Sequence, residues 1–239
     1  MAHPLSTGLM IPILQRDQVR DVDRRAIEHW NMSGLVLMEN AGRGVVDVLE
    51  KLGIEGQVTV CCGKGNNAGD GLVMARHLAL RGYQTIVLLF SNPFDLSPDA
   101  KTNYEILKKT SVPIHKMSGT ESDEQILKFF NRSDWLVDAL LGTGATGPLR
   151  PPFDQAVRNL NQATGKRLAV DMPSGLDCDT GKPSAVTFCA HHTCTFVALK
   201  PGLVTEGADP FTGKVHVLDI GVPLELIAEV CHERSILGR

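Results

Sequence analysis

The sequence predicts an α/β fold, a mostly parallel sheet with helices on both faces. Short apolar, β-branched runs alternate along the chain with stretches of helical periodicity. Two glycine-rich turns, at residues 63–71 and 142–147, follow directly on such runs. A strand–helix–strand order of this kind implies right-handed crossovers and therefore a parallel sheet between two helical layers. With 239 residues, 43% of them hydrophobic and 21% charged, the chain can bury one sizeable core. It shows no repeat, linker or low-complexity stretch, so a single domain is expected over 1–239, with its core at about 15–223.

Residues 16–30 place Val19, Val22, Ala26, Ile27 and Trp30 on one helical face, with Arg20, Asp21, Arg24, Arg25 and Glu28 covering the rest. A second helix is predicted over 35–53, interrupted at 37–42 by Glu39 and Asn40. These two N-terminal helices must pack on the sheet or on a second chain, and the apolar Trp30, Met32 and Leu35 offer surface for a homodimer. Strand 58–62 leads into the first glycine turn, and helical rhythm resumes at Gly69. Further strands are expected at 85–90, 112–115, 135–141, 167–171, 190–199 and 215–220. The helices between them fall at 98–110, where Ser97 and Pro98 make an N-cap and first position, at 121–131 and at 152–162. From Val222 onward the chain is a short apolar tail with a charged end.

The turn at 63–71 marks a nucleotide-type site. Its glycines permit positive φ and close approach of a ligand to the main chain, and the helix after it directs free N–H groups and a positive dipole end into the loop. It lacks Gly-Lys-Ser/Thr and fits the dinucleotide Gly-x-Gly pattern only loosely. Asn66, Asn67 and Asp70 are polar side chains that a plain phosphate cradle does not need, although turn tolerance and helix capping also account for them. Ligand sites in open α/β sheets gather at the carboxyl ends of strands. Three successive strands deliver Asn67, Asp138, and Asp171 with Ser174 to one such rim.

Other chemistries are disfavoured. A net charge of −3 with no basic stripe argues against nucleic acid. Cys61 and Cys62 adjoin in a buried strand, and none of the six cysteines has Cys-x-x-Cys or Cys/His spacing, so they read as reduced thiols of a cytoplasmic protein. His191 and His192 are neighbours on a strand and point to opposite faces, which is unsuitable for joint metal ligation. No run is long enough to span a membrane, and residues 1–16 lack the pattern of a signal peptide.

Four segments, Leu-Met-Glu-Asn-Ala-Gly at 37–42, Gly-Asn-Asn-Ala-Gly-Asp-Gly at 65–71, Val-Asp-Ala-Leu-Leu-Gly-Thr-Gly at 137–144 and Val-Asp-Met-Pro-Ser-Gly-Leu at 170–176, occur in order, followed by Leu-Lys-Pro-Gly-Leu at 199–203. Together they resemble the NAD(P)H-hydrate epimerase family, the YjeF N-terminal domain, over about residues 15–223. The resemblance implies a Rossmann-like three-layer αβα sandwich that interconverts the R and S forms of NADHX and NADPHX, the cofactors hydrated at C6 of the nicotinamide ring. It also implies a functional partner, an ADP- or ATP-dependent dehydratase that accepts the S form; nothing in these residues resembles that dehydratase, so a stand-alone epimerase is expected. Carried over by motif, substrate contacts fall on Asn66, Asn67, Ala68, Gly69, Asp70, Gly142, Thr143, Gly144, Ala145, Thr146, Gly147, Pro148 and Asp171. Potassium ligands fall on Asn67, Asp138 and Ser174, and such hard oxygen donors would not suit zinc or copper. Two departures stand out: Ala68 replaces the family's common Gly, which would narrow the room at the phosphates, and Thr146 replaces a Lys found in some animal members.

The hydrated C6 is a carbinolamine carbon. The ring nitrogen can expel its hydroxide, and water can return on the opposite face. A positioned carboxylate would serve both steps. Asp138 is the first choice for that role, with metal ligation or loop anchoring as the competing account, and Asp171 is the second candidate. Lys200 could balance a ligand phosphate or simply be a solvated strand end. A non-catalytic binding module of the same fold is the alternative to the enzyme, and a NAD-dependent dehydrogenase lacks an evident catalytic dyad.

Overall fold

The computed structural model describes residues 11–237, with side chains to His232. The reading of residues 1–16 as lacking a signal-peptide pattern therefore falls partly outside the described residues. Seven strands form one wholly parallel sheet in the order β3-β2-β1-β4-β5-β6-β7. They are β1 Gln57–Cys62, β2 Thr85–Leu89, β3 Ile114–Lys116, β4 Ser133–Ala139, β5 Lys166–Val170, β6 His192–Phe196 and β7 Lys214–Leu218. The order reverses between β1 and β4. That switch point opens a crevice at the carboxyl ends of both strands, where the two glycine turns lie.

The first helical layer contains α1 Arg16–Glu28, α2 Gly34–Leu52, α3 Asn66–Leu80, α4 Pro98–Leu107 and, at the other end of the chain, α9 Leu224–Leu237. Its core joins Val22, Val45, Leu49, Leu72, Leu107 and Leu226 to the face of the sheet carrying Val58, Val60 and Val137. The opposite layer holds α5 Asp123–Phe130 and α6 Phe153–Gln162, whose Ile126, Phe130, Val157 and Leu160 cover Cys61, Leu88 and Leu136. The short helices α7 Pro201–Val204 and α8 Asp209–Thr212, and a 3-10 turn at Pro93–Asp95, carry no periodicity long enough to read from sequence.

The N-terminal helices pack on the sheet of their own chain. The residues at 37–42 do not interrupt α2: they bolt it down. Glu39 bonds Arg76 and His77 of α3, the latter at 2.7 Å, and Asn40 donates to the Ile220 carbonyl at 2.8 Å. A Cβ on Gly42 would meet the Asp70 carbonyl and Val73 at 2.7 Å, so the glycine lets α2 lie directly against α3. The tail expected beyond Val222 is the helix α9, which buries Leu226 and Val230 in the core.

Candidate functional site

The helix α3 starts at Asn66, three residues earlier than the periodicity suggested, because Gly65 serves as its N-cap. Asn66 and Asn67 are thus its first two helical residues and not left-handed turn residues. None of Gly63, Gly65, Gly69 and Gly71 takes positive φ either. Three of them act through close packing: a Cβ on Gly63 would overlap the Leu140 carbonyl oxygen, one on Gly69 the Met38 sulfur, and one on Gly71 would lie 2.7 Å from Ala139 Cβ. These contacts press the β1 and β4 loops together and set α3 above the crevice.

A cleft of about 450 Å³ results, bounded by α1, α2, the start of α3, the turn after β4 and the ends of β5 and β6. Asn66, Asn67, Asp70, Gly142, Thr143, Gly144, Ala145 and Asp171 line it, as expected from sequence. Ala68 and Gly69 do not: Ala68 is wholly buried in the core, so its methyl does not narrow the cleft, and Gly69 packs on Met38. Thr146, Gly147 and Pro148 border a separate cavity of about 440 Å³ on the far side of Ala145, beside Gly175, Leu176 and residues 182–185.

Asp138 is fully buried and does not line the cleft. Its Oδ1 accepts from Leu140 N at 3.1 Å and Ser174 Oγ at 2.8 Å, and its Oδ2 accepts from Ser174 N at 2.7 Å. Burial pushes its carboxyl up to about 6 despite those three hydrogen bonds. Strand alternation explains the placement. Val137 and Ala139 face α3, so Asp138 faces the other layer with Leu136, and it ties the β4 and β5 loops together. This geometry matches the competing account, loop anchoring, and leaves the carboxylate without an opening to the cleft.

Asp171 follows β5 with φ 65°, a left-handed backbone that turns its carboxylate into the cleft. Its Oδ2 accepts from Thr143 N at 3.0 Å and its Oδ1 from the Lys200 ammonium at 2.8 Å. Lys200 is neither solvated nor available to a phosphate: it is wholly buried, and its three protons go to Asp171, Thr195 Oγ1 at 2.6 Å and the Phe196 carbonyl at 3.0 Å. Burial alone would raise the Asp171 carboxyl, but Lys200 and the Thr143 hydrogen bonds together hold it below the ordinary range.

Asn67 Nδ2 donates to the Leu141 carbonyl at 3.0 Å, while Leu141 N donates to Ser174 Oγ at 3.1 Å and Leu140 N to Asp138, so Asn67, Asp138 and Ser174 all hold the backbone of residues 140–141. Asn67 Oδ1 is buried without a hydrogen-bond partner. An orphaned carbonyl oxygen beside a hydroxyl and a carboxylate fits an oxygen-coordinated cation. Among the described residues no three His, Cys, Asp or Glu side chains are grouped to hold a metal. His191 bonds the backbone of Arg167 and His192 bonds His216, each on its own face, and all six cysteines are free.

Sequence reasoning missed Asp23. It lines the cleft from α1, one turn beyond the buried Val19, together with Arg20 and Ile27. The signal was its place at the edge of the apolar stripe of α1.

Residues 34–202 match the family model of the YjeF-related protein N-terminus. The chain is 44% identical over 218 residues to the NAD(P)H-hydrate epimerase of Pirellula staleyi, covering 91% of this chain and 96% of that protein. It is 38% identical over 225 residues to the bifunctional NAD(P)H-hydrate repair enzyme Nnr of Moorella thermoacetica, covering 92% of this chain but 42% of that longer protein. The crystal structure of yeast YNL200c superposes with a TM-score of 0.77 at 23% identity, covering 92% of this chain and 93% of that one, which shows a common fold.

Proposed function

The chain belongs to the YjeF N-terminal family, and from that premise we propose that it is an NAD(P)H-hydrate epimerase, interconverting the R and S forms of NADHX and NADPHX. The observation that carries this reading is the cleft at the switch point, lined by groups of both signs. The exposed Lys64 and Gly65 and the free N–H groups at the start of α3 line it, suited to a pyrophosphate. The buried Asp70 and Asp171 and the exposed Asp23 line the same cleft with their carboxyls. Loss of hydroxide from C6 leaves a cationic ring, and fixed carboxylates stabilise developing positive charge in a partly dehydrated site. A dinucleotide laid with its phosphates toward Lys64 and the start of α3 and its nicotinamide toward the carboxyls meets both with the right sign.

Asn67 Oδ1, Asp138 and Ser174 Oγ would hold the potassium ion; bound there, it would supply a fixed positive charge that orders the β4 loop against α3. The orphaned Asn67 oxygen supports this assignment. Asp171, kept ionised by Lys200, orients Thr143 and hence the loop over the substrate. We further infer a dehydratase as the consumer of the S form, in keeping with the bifunctional NAD(P)H-hydrate repair enzyme of M. thermoacetica, a longer relative. A cytoplasmic site of action agrees with the six free cysteines, and among the described residues no helix is long and apolar enough to cross a membrane. The exposed Ile27, Trp30, Leu35 and Val36 at the α1–α2 junction support a homodimer.

The test mixes the protein with the isolated R epimer of hydrated NADH, with and without potassium, and follows the S epimer by chromatography. Equilibration faster than the protein-free control is expected, with slower turnover when potassium is withdrawn. A folded sample that gives no acceleration would leave the non-catalytic binding module as the reading.

A further inference from the structure

Epimerisation needs a group that moves a proton at the C6 oxygen, and three conditions identify it. The group must be reachable from the cleft, free of committed hydrogen bonds, and able to both hold and release a proton. Asp138 fails the first condition. Asp171 and Lys200 fail the second, because they bind each other and the surrounding loops. Asp99 lies against Gly34 at the start of α2 and in the first turn of α4, where its negative charge serves two helix N-termini.

Two carboxyls are left. Asp70, in the first turns of α3, is 9% exposed, lines the cleft and makes no hydrogen bond or ion pair within the described residues. Its carboxyl, left free by the protein, opens to the cleft and can meet whatever occupies it. Asp23 enters the same cleft from α1, also without a partner among the described residues, near enough to Asp70 and Asp171 for their charges to interact. It lies ahead of residues 34–202, the segment that the family model matches.

We propose that Asp23 and Asp70 exchange the protons at C6 on opposite faces of the nicotinamide ring, which makes α1 a catalytic element. The proposal rests on the epimerase reading. In one direction the nitrogen lone pair forms C6=N⁺ as the C6–O bond breaks, its electron pair leaving with oxygen, and the carboxylic acid of Asp70 protonates that oxygen to give water. A water on the other face then forms the new C6–O bond, the C=N π pair returns to nitrogen, and the water's proton passes to the Asp23 carboxylate. The reverse passage, or exchange with cleft water, resets the pair.

The surroundings fit these states. Asp23 is an exposed residue of α1 whose neighbours crowd it on the cleft side; that crowding, reinforced by the Asp171 charge, pushes its carboxyl up to about 6. Burial, with the charges of Asp171 and Asp23 added, pushes Asp70 well above the ordinary range, which favours its protonated form. One carboxyl in its protonated form and one ionised supply the acid and the base that the exchange needs. Arg20 and Lys64 are the other charged groups lining this cleft, with Asp99, Asp171 and Lys200.

The deciding experiment measures kcat, KM and the pH profile for Asp23→Asn and Asp23→Glu in the full chain, with thermal melts to establish folding. Asp23→Asn should lower kcat about a hundredfold or more with little change in KM. Asp23→Glu should recover part of the rate, and the acid limb of kcat/KM near pH 6 should disappear in Asp23→Asn. Wild-type kcat in Asp23→Asn, or a lowered kcat with the acid limb intact, would overturn the proposal. Absence of turnover in the wild-type protein would instead defeat the epimerase reading on which it rests.

Discussion

Lys200 and Asp171 show at the scale of one pair how the site is kept in register. The ammonium has no exposure, and its partner carboxylate has 12%. Replacing such a pair outright is often tolerated, whereas removing one member leaves an uncompensated buried charge. Lys200→Met should therefore destabilise the fold by about 3–5 kcal/mol at neutral pH, as read from urea unfolding. The sign of its pH dependence follows from the loss of Lys200, which in the wild type helps hold the Asp171 carboxyl down. Without it, burial dominates and the folded state takes up a proton more readily than the unfolded one, so the defect should shrink on acidification. Lys200→Met combined with Asp171→Asn should recover much of the loss, and equal defects in the single and double variants would refute this account. The pair was legible in sequence only as two separate residues. Asp171 could be placed because it ends a strand before a Pro-Ser-Gly turn, but its φ of 65° depends on tertiary packing. Asp138 was placed on the right rim, yet its facing was overlooked, although the alternation of Val137 and Ala139 carried that information.

Among the elements, α1 is held at its first residue. Arg16 Nη2 bonds Asp177 Oδ2 at 2.9 Å, and Arg16 N bonds Asp179 Oδ1 at 2.8 Å, which ties the helix to the loop after β5. Burial would raise the Asp177 carboxyl, but Thr180 and Arg16 together lower it to about 2. Because this lies below the unfolded value near 4, the contribution is complete above about pH 4 and is lost as pH falls toward 2. Asp177→Asn should cost about 1–2 kcal/mol at pH 7, allowing for solvent screening at a partly open site. Thermal melts should show the gap to wild type closing near pH 2. A pH-independent gap would mean that the loop and not the charge is responsible. The sequence pattern placed the long strands and the amphipathic α1 closely, since burial repeats along them with a fixed period. It failed at 37–42 and 66–68, where small and polar residues serve contacts between helices and so leave no local periodicity.

For the whole molecule, the parallel sheet gathers loops from distant parts of the chain at one switch point, and the acids collected there oppose folding. Asp23 and Asp138 both reach about 6, and Asp70 is also raised. A carboxyl raised in the folded state costs nothing while protonated in both states, at about pH 3 and below. Its destabilising effect grows as pH rises through the unfolded value near 4 and is complete above about 6 for Asp23. A site with unpaired acids therefore sets activity against stability, as functional sites commonly do. Asp23→Asn removes one such charge and its repulsion of Asp171 without vacating a packed volume. The variant should melt at a higher temperature than the wild type at pH 8, with the difference closing near pH 3. The same substitution is expected to slow turnover, so gain in melting temperature and loss of rate should appear together. A variant that melts lower than the wild type at pH 8 would show that Asp23 supports α1 structurally, and that the acids at this rim are not the strained element of the fold.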